Sequence, residues 1–182
     1  MIANNKSLPL GDGWLPLIPR AGIYLRAFGD GDDARFARLF RATWRRIPRN
    51  DRRRLLRYWR PIGPNIELLS DWSSWDDNNS AEFLGKCGEC GKRGMLIRFW
   101  VNAVDRMPDP HVLTLIAHEL MHACLWAMGQ RDNALDENFV QNCVVSDWNF
   151  DEFALQEWID ANADSLRSSL ATCSTRIDEE LS

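Results

Sequence analysis

Residues 109–129 contain the most sharply delimited helix in the sequence, and this helix constrains the rest of the chain. An Asp-Pro pair at 109–110 supplies an N-cap and a first-turn proline, and Gly129 supplies a stop, so we predict a helix over 110–128. Residues 118–122 read His-Glu-Leu-Met-His. The opposite arc of the helical wheel is apolar and consists of Leu113, Ile116, Leu120, Ala123, Cys124 and Ala127. We therefore expect this helix to bury one side and to turn both histidines the other way.

His118 and His122 have the spacing of two metal ligands. Residues four apart on a helix differ by about 40° in direction and about 6 Å in height, so two imidazoles can converge on one tetrahedral ion such as zinc. Glu119 is close enough on the wheel to reach a metal-bound water without being a ligand. Zinc lowers the pKa of such a water, and a carboxylate can accept its proton as the water attacks a carbonyl. The sequence thus predicts zinc ligands at His118 and His122 and a general base at Glu119.

The third histidine of the chain, His111, precedes His118 by seven residues. It lies on nearly the same side of the helix but about 10 Å away along the axis. His111 therefore cannot bind the same ion from an unbroken helix. We assign it to the start of the helix or to the rim of a cleft.

A catalytic zinc ion usually has three protein ligands, and no histidine follows His122. A carboxylate must then complete the set, and the candidates are Asp132, Asp136 and Glu137. We favour Glu137, since the intervening residues allow a turn after Gly129 and a second helix that returns alongside the first. The apolar arc of that second helix is centred nearer Asp136, which leaves Asp136 open as the ligand. Gln141 is expected to orient a ligating histidine through its free ring nitrogen.

Residues 118–141 resemble the gluzincin metallopeptidases, in which HExxH is followed by a glutamate on the next helix. The segment LDENF at 135–139 is similar to the L-N-E-G-F and L-E-E-G-L segments of aminopeptidase-N-like enzymes and plant LIM-domain peptidases. In those families the glutamate before the glycine is a zinc ligand, which corresponds to Glu137; Asn138 replaces the glycine. The resemblance implies a zincin-like α+β fold, with a small mixed sheet before the active-site helix and further helices after it.

The remaining sequence patterns are compatible with that fold. Residues 1–31 indicate an extended lead-in with room for one strand. Arginine-rich helices are predicted between the caps at Asp32 or Asp33 and Pro48, and over 51–60. The predicted inward residues are Phe36, Leu39, Phe40, Trp44 and Ile47 in the first and Leu55, Leu56 and Trp59 in the second. Three strands are predicted at 66–72, 81–87 and 95–101, and further helices are predicted at 134–146 and from Asp151 onward. The apolar stripe predicted for the last helix consists of Phe153, Ile159, Ala163, Leu166 and Leu170. The resemblance implies that 95–101 is the edge strand that holds an extended substrate; the alternative is a core strand.

Length and composition indicate one domain over residues 1–182, divided into a lead-in with two helices at 1–61 and a catalytic part at 62–182. No apolar run is long enough for a membrane helix, and the N-terminus lacks the pattern of a secretory signal. Five irregularly spaced cysteines are a poor disulfide framework. We therefore expect a cytoplasmic protein. Cys87 and Cys90 resemble half of a zinc knuckle, but without a second pair we interpret them as a tight hairpin turn with two free thiols or as a redox-sensitive pair. A composite metal site with Cys124 and Cys143 is the alternative.

Charge is distributed unevenly along the chain. Residues 35–60 contain eleven arginines and one acid, Asp51, whereas residues 132–182 contain twelve acids and two arginines. We interpret these as solvated or mutually facing surfaces, and nucleic-acid binding is the alternative.

Together these patterns predict a zinc-dependent peptidase or amide hydrolase that acts on a peptide or protein substrate. One alternative is a catalytically silent zincin-fold module for binding or assembly. The other is a DNA-associated protease that docks through the arginines at 35–60. The candidate residues for the oxyanion helper that zincins often use are Tyr24, Tyr58, His111 and Arg131.

Overall fold

The computed structural model describes residues 14–19, 22–28, 32–59, 66–69, 84–89 and 95–180, which form an α+β fold. Its strands are β1 (Trp14–Ile18), β2 (Ile23–Phe28), β3 (Ile66–Leu69), β4 (Gly85–Glu89) and β5 (Met95–Trp100). Its α-helices are α1 (Asp33–Arg46), α2 (Arg49–Trp59), α3 (Val101–Arg106), α4 (Asp109–Ala127), α5 (Glu137–Ser146) and α6 (Glu152–Glu180). None of the described helices has both the length and the apolar character needed to cross a membrane.

The five strands form one mixed sheet in the order β1-β2-β3-β5-β4. The pairs β2–β3 and β3–β5 are parallel, whereas β1–β2 and β5–β4 are antiparallel. Leu25, Ile66 and Ile97 are in register across the three central strands, and each is fully buried. The prediction that residues 95–101 form the edge strand is wrong, because β5 lies between β3 and β4. The strand at the edge next to β5 is β4, whose glycines and charged residues are typical of an edge.

The sequence patterns locate most elements but miss two. The predicted lead-in contains a hairpin of two strands rather than one, and it turns at Gly22, whose φ of +70° is a conformation that favours glycine. Helix α3 follows β5 directly and was not predicted. Residue 101, assigned to the third predicted strand, is its first residue. Residues 70–72 and 81–83 of the other predicted strands lie outside the described residues.

Helices α1 and α2 follow the predicted pattern. The side chain of Asp32 caps α1 by accepting a hydrogen bond of 2.8 Å from the backbone N–H of Arg35. The predicted apolar stripe of α1 is buried and consists of Phe36, Leu39, Phe40, Trp44 and Ile47. In α2, Leu55 is buried and Leu56 is half-buried, whereas the side chain of Trp59 lies outside the described residues.

Three arginines of α1 bind backbone carbonyl groups of other elements. Arg35 donates to the carbonyl oxygens of Val104 and Met107 and to the carboxylate of Asp109. Arg41 donates to the carbonyl oxygens of Pro16 and Leu17 in β1. Arg46 donates to the carbonyl oxygen of Asn149, and its guanidinium lies 3.8 Å from the ring centroid of Phe150. These side chains therefore connect α1 to the elements around it.

Helix α4 is the centre of the fold, because it packs against β4, α1, α2, α5 and α6. Almost every side chain from Val112 to Leu125 is buried, including most of those on the predicted apolar side. The histidine side is also covered, by α5 and α6. As predicted, Gly129 ends the helix, with φ +75° and the N–H of Gln130 bonded to the carbonyl oxygen of Leu125.

The chain after α4 differs in detail from the helix predicted at 134–146. A short 3-10 helix, Asn133–Leu135, comes first. Asp136 then caps α5 by accepting a hydrogen bond of 3.2 Å from the N–H of Phe139. Asp151 caps α6 in the same way through the N–H of Ala154, as predicted.

The apolar stripe predicted for α6 is correct only in part. Phe153, predicted to face inward, is 75% exposed, whereas Leu155 and Leu166 are buried. The cap at Asp151 fixes the phase of the first turn, and that phase turns Glu152 inward instead of Phe153.

Buried apolar residues from the N-terminal part and from the rest of the chain form one core cluster. That the whole of residues 1–182 is a single domain remains a prediction.

Candidate metal centre

His118, His122 and Glu137 bring three potential ligand atoms together. The Nε2 atoms of the two histidines are 3.0 Å apart. Glu137 Oε2 lies 3.0 Å from His118 Nε2, and Glu137 Oε1 lies 3.5 Å from His122 Nε2. Ligand atoms of all three residues lie within 4.8 Å of one another. These are the three residues that the sequence pattern selected as ligands.

Two local features of the chain produce this convergence. The histidines are one helical turn apart on α4, so their rings lie edge to face with centroids 4.8 Å apart. After the turn at Gly129, the first residue of α5 is Glu137, and its side chain points back toward α4. Asp136, the other candidate ligand, uses a carboxylate oxygen to cap α5 and lies outside the cluster.

The outward-facing ring nitrogens of both histidines have partners in a second layer. His118 Nδ1 lies 3.1 Å from Glu152 Oε1 in the first turn of α6. His122 Nδ1 lies 2.7 Å from the carbonyl oxygen of Ala134 in the 3-10 helix. The prediction that Gln141 orients a ligating histidine is therefore wrong, because both free nitrogens are already bonded elsewhere. Sequence reasoning missed Glu152, which lies 34 residues from His118.

These partners determine which ring nitrogens carry protons. The carbonyl of Ala134 can only accept a hydrogen bond, and so can the ionised carboxylate of Glu152, so each Nδ1 must donate. In a neutral imidazole the opposite nitrogen, Nε2, then has a free lone pair. Two such lone pairs therefore face each other and the carboxylate of Glu137. This arrangement needs a cation among the three groups, either a proton on one ring or a metal ion.

The same crowding of acceptors changes the pKa values of the site. Burial by itself would lower the pKa of His118, but hydrogen bonds to Glu137 and Glu152 raise it to about 10. Burial also lowers the pKa of His122, but its hydrogen bond to Glu137 and the negative charges of Glu119 and Glu137 together raise that pKa. The two imidazoles hold the pKa of Glu137 well below its usual range. Without a metal, the cluster retains a proton on His118 at neutral pH.

Glu119 lies on the side of α4 that faces β4. Its side chain is buried, and burial raises the pKa of its carboxyl group, although the neighbouring histidines oppose that shift. A Cβ atom at Gly85 of β4 would lie 2.6 Å from Glu119 Oε1, closer than real contacts allow. The absence of a side chain at Gly85 therefore creates the space that the Glu119 carboxylate occupies.

No protein-family model, curated protein or solved structure matches this chain. We therefore infer its function from the donor atoms. Tetrahedral zinc with bonds of about 2.0–2.2 Å separates its ligand atoms by about 3.3–3.5 Å. The two Nε2 atoms are 3.0 Å apart, which is within a few tenths of an ångström of that separation, and one ligand atom from each of the three residues lies within 4.8 Å of the others. Two imidazoles and one carboxylate are also a ligand set of catalytic zinc sites. The residues present therefore fit a zinc ion.

The other candidate residues have structural surroundings. His111 lies at the start of α4, with its ring centroid 6.4 Å from that of Trp158 in α6. The guanidinium of Arg131 lies 5.3 Å from the ring centroid of Trp126. Tyr24 is on β2, which β3 and β5 separate from β4. The side chain of Tyr58 lies outside the described residues, so none of these four is assigned as the oxyanion helper.

Three cysteines are free thiols in the part of the chain whose side chains the structure describes: Cys87, Cys124 and Cys143. Cys87 is within β4, and burial, together with the nearby Glu119 carboxylate, raises the pKa of its thiol. β4 and β5 pair antiparallel, but Cys90 and the connection between the strands lie outside the described residues. Cys124 and Cys143 line a cavity of about 500 Å³ between α2, α4 and α5. Burial raises the pKa of Cys124 to about 12, which makes it an unreactive thiol.

Proposed function

We propose that this chain is a zinc-dependent peptidase or amide hydrolase with a zincin-like fold. The observation that carries the proposal is the convergence of two Nε2 lone pairs and the Glu137 carboxylate, in rings whose Nδ1 atoms are already committed as donors. Such a set of acceptors is expected where a divalent cation binds. His118, His122 and Glu137 would hold the ion, and zinc would supply a Lewis acid that polarises a carbonyl and activates water near neutral pH.

Glu119 would act as the general base. It is adjacent in sequence to one ligand, is not itself part of the ligand cluster, and lies on the neighbouring face of α4. Burial raises the pKa of its carboxyl group, which strengthens the carboxylate as a proton acceptor. The same residue can then return the proton to a leaving amine. Non-haem iron sites also use two histidines and a carboxylate. A buried carboxylate beside the ligands favours hydrolysis instead.

The edge strand β4 suggests how a peptide substrate would be held. β4 packs against α4, and Gly85 brings its backbone next to Glu119. Among the described strands, β4 pairs only with β5, so an extended peptide that paired with its other edge would pass close to the general base. Main-chain pairing of this kind binds without demanding particular side chains. The strand at 95–101 cannot take this role, since both of its edges are already paired.

Hydrolysis of a peptide library by the zinc-loaded protein tests the proposal. We expect cleavage that disappears after treatment with a strong chelator and returns when zinc is added. Glu119→Gln should lack the cleavage while binding the same amount of zinc. Cleavage that persists in chelator or in Glu119→Gln would contradict the proposed mechanism.

A catalytically silent metal-binding module is the second candidate. The observation that favours it is the position of Glu119, which is only 5% exposed and is packed against β4. The same library separates the two candidates. A zinc-loaded protein that cleaves none of the peptides would support the binding module, and chelator-sensitive cleavage would exclude it.

A further inference from the structure

Glu152 is a buried acid whose carboxylate contacts one of the proposed ligands. Its side chain is 7% exposed, and its Oε1 atom lies 3.1 Å from His118 Nδ1. No ligand atom of Glu152 belongs to the cluster formed by His118, His122 and Glu137. A buried carboxylate is costly unless it is paired, so this contact accounts for its position.

The start of α6 determines how Glu152 reaches the site. Asp151 caps the helix and fixes its first turn, which directs Glu152 inward and leaves Phe153 in solvent. α6 packs along α4, and this packing holds the carboxylate behind the His118 ring. The contact thus connects the metal cluster to a helix that provides none of its ligands.

We propose that Glu152 is the positioning residue for His118 and that it couples the docking of α6 to metal binding. Its carboxylate keeps the proton of His118 on Nδ1 and the lone pair on Nε2, and it fixes the plane of the ring. This inference rests on the proposed function, because it concerns the binding of the same metal ion. The role is the one that the sequence pattern had assigned to Gln141.

The two proposed histidine ligands differ in the group that accepts the hydrogen bond from Nδ1. His122 Nδ1 donates to a neutral backbone carbonyl, which no side-chain substitution removes. His118 Nδ1 instead faces a carboxylate, which also increases the electron density on the ring. Orientation of His118 therefore depends on one side chain, and a substitution can test it directly.

Zinc affinity is the first measurement, by competition with a chromophoric chelator. Glu152→Gln keeps the shape but removes the charge, and Glu152→Ala removes the contact. We expect zinc to bind about 10- to 100-fold more weakly to these variants, with the larger loss in Glu152→Ala. Glu157→Gln is the matched control, since Glu157 is an exposed acid on the same helix. Gln141→Ala should also bind zinc like the unsubstituted protein.

The second measurement follows His118 itself by ¹⁵N NMR of the zinc-loaded protein. In the unsubstituted protein we expect the Nδ1 proton to be protected from exchange with solvent. Glu152→Ala should lose that protection, whereas Glu157→Gln should keep it. If Glu152 only stabilised the fold, its removal would not specifically expose the Nδ1 proton of His118 to solvent exchange. If Glu152→Ala does not fold, Glu152→Gln decides through its zinc affinity.

Zinc affinities of Glu152→Gln and Glu152→Ala equal to that of the unsubstituted protein would overturn the inference. An equal loss in Glu157→Gln would also overturn it, because the effect would then be one of net charge. Failure of the unsubstituted protein to bind zinc is a different result, which refutes the proposed function itself.

Discussion

The arginines of α1 and the histidine cluster of α4 are two groups of charged or titratable side chains with opposite properties. In the first group, Arg35, Arg41 and Arg46 donate to backbone carbonyl oxygens of other elements, and Arg35 also pairs with Asp109. Each of these arginine donors therefore has an acceptor within the chain. In the histidine cluster, two Nε2 lone pairs and a carboxylate face one another, so acceptors meet acceptors.

The difference distinguishes structural from functional use of polar groups. A network whose donors and acceptors match within the chain stabilises the fold and needs no ligand. A cluster whose acceptors face one another needs a cation between them, which is either a proton or a metal ion from outside the chain. Arg35, Arg41 and Arg46 thus have a structural role in this basic segment, and nucleic-acid docking through residues 35–60 stays a prediction.

Glu119→Gln should have the largest effect, because an amide cannot accept a proton from water. We expect peptide hydrolysis to fall by about 10²- to 10⁴-fold while the zinc content stays the same. The measurement is the rate of cleavage of the best peptide from the library, alongside metal analysis. Glu157→Gln is the control. A Glu119→Gln variant as fast as the unsubstituted protein would remove Glu119 from the mechanism.

Arg35→Ala should destabilise the fold without affecting the metal site. It removes a side-chain donor from the carbonyl oxygens of Val104 and Met107 and breaks a partly buried ion pair, so we expect a loss of about 2–3 kcal/mol in the free energy of unfolding. Urea denaturation measures it.

Arg38→Ala is the matched control, since Arg38 also pairs with Asp109 but is 62% exposed. It should cost less than about 1 kcal/mol. If the two variants are equally stable, or if Arg35→Ala loses zinc, the distinction between the structural arginines of α1 and the histidine cluster of α4 is wrong.

Gly85→Ala should push the Glu119 side chain out of its place, because the new Cβ would lie 2.6–3.0 Å from three of its atoms. We expect a cost of about 1–3 kcal/mol in the free energy of unfolding, together with slower hydrolysis. Urea denaturation of Gly85→Ala, Glu119→Ala and the double variant shows whether the clash with Glu119 is the cause of the lost stability. In a Glu119→Ala background the substitution at Gly85 should be tolerated. The same cost in both backgrounds would show that Glu119 is not the group displaced.

Zinc affinity should increase with pH in the neutral range. Hydrogen bonds to Glu137 and Glu152 outweigh burial and raise the pKa of His118 to about 10, so the metal-free protein holds that proton at pH 6–8 and zinc must displace it. For one released proton, affinity should rise about tenfold per pH unit. Chelator competition at several pH values measures this slope. Calorimetry in buffers of different ionisation enthalpy counts the protons, and an affinity independent of pH would contradict the assigned protonation.

The sequence predicts the parts of the site that depend on local geometry. His118 and His122 are one turn apart on a helix with clear ends, and Glu137 follows a turn marked by Gly129. Glu152 could not be predicted in this way, because an acid in the first turn of a helix is ordinary and its contact spans 34 residues. No spacing rule connects α6 to α4.

In the sheet, too, the sequence predicts local features but not contacts between distant segments. The sequence locates β3, β4 and β5, but strand order depends on how distant segments pair. The edge position of β4 does have a signal, since its residues, Gly-Lys-Cys-Gly-Glu, lack the apolar alternation of β5. The glycine at position 85 is also a mark of close approach by another group.

The metal content of the purified protein, with and without His122→Ala, tests the central claim most directly. Removal of His122 leaves one imidazole and one carboxylate, which is too few ligands for a stable site. We predict one zinc ion per chain in the unsubstituted protein and almost none in His122→Ala, measured by elemental analysis after dialysis against metal-free buffer. An unsubstituted protein that retains no metal, or a variant that retains as much, would contradict the account.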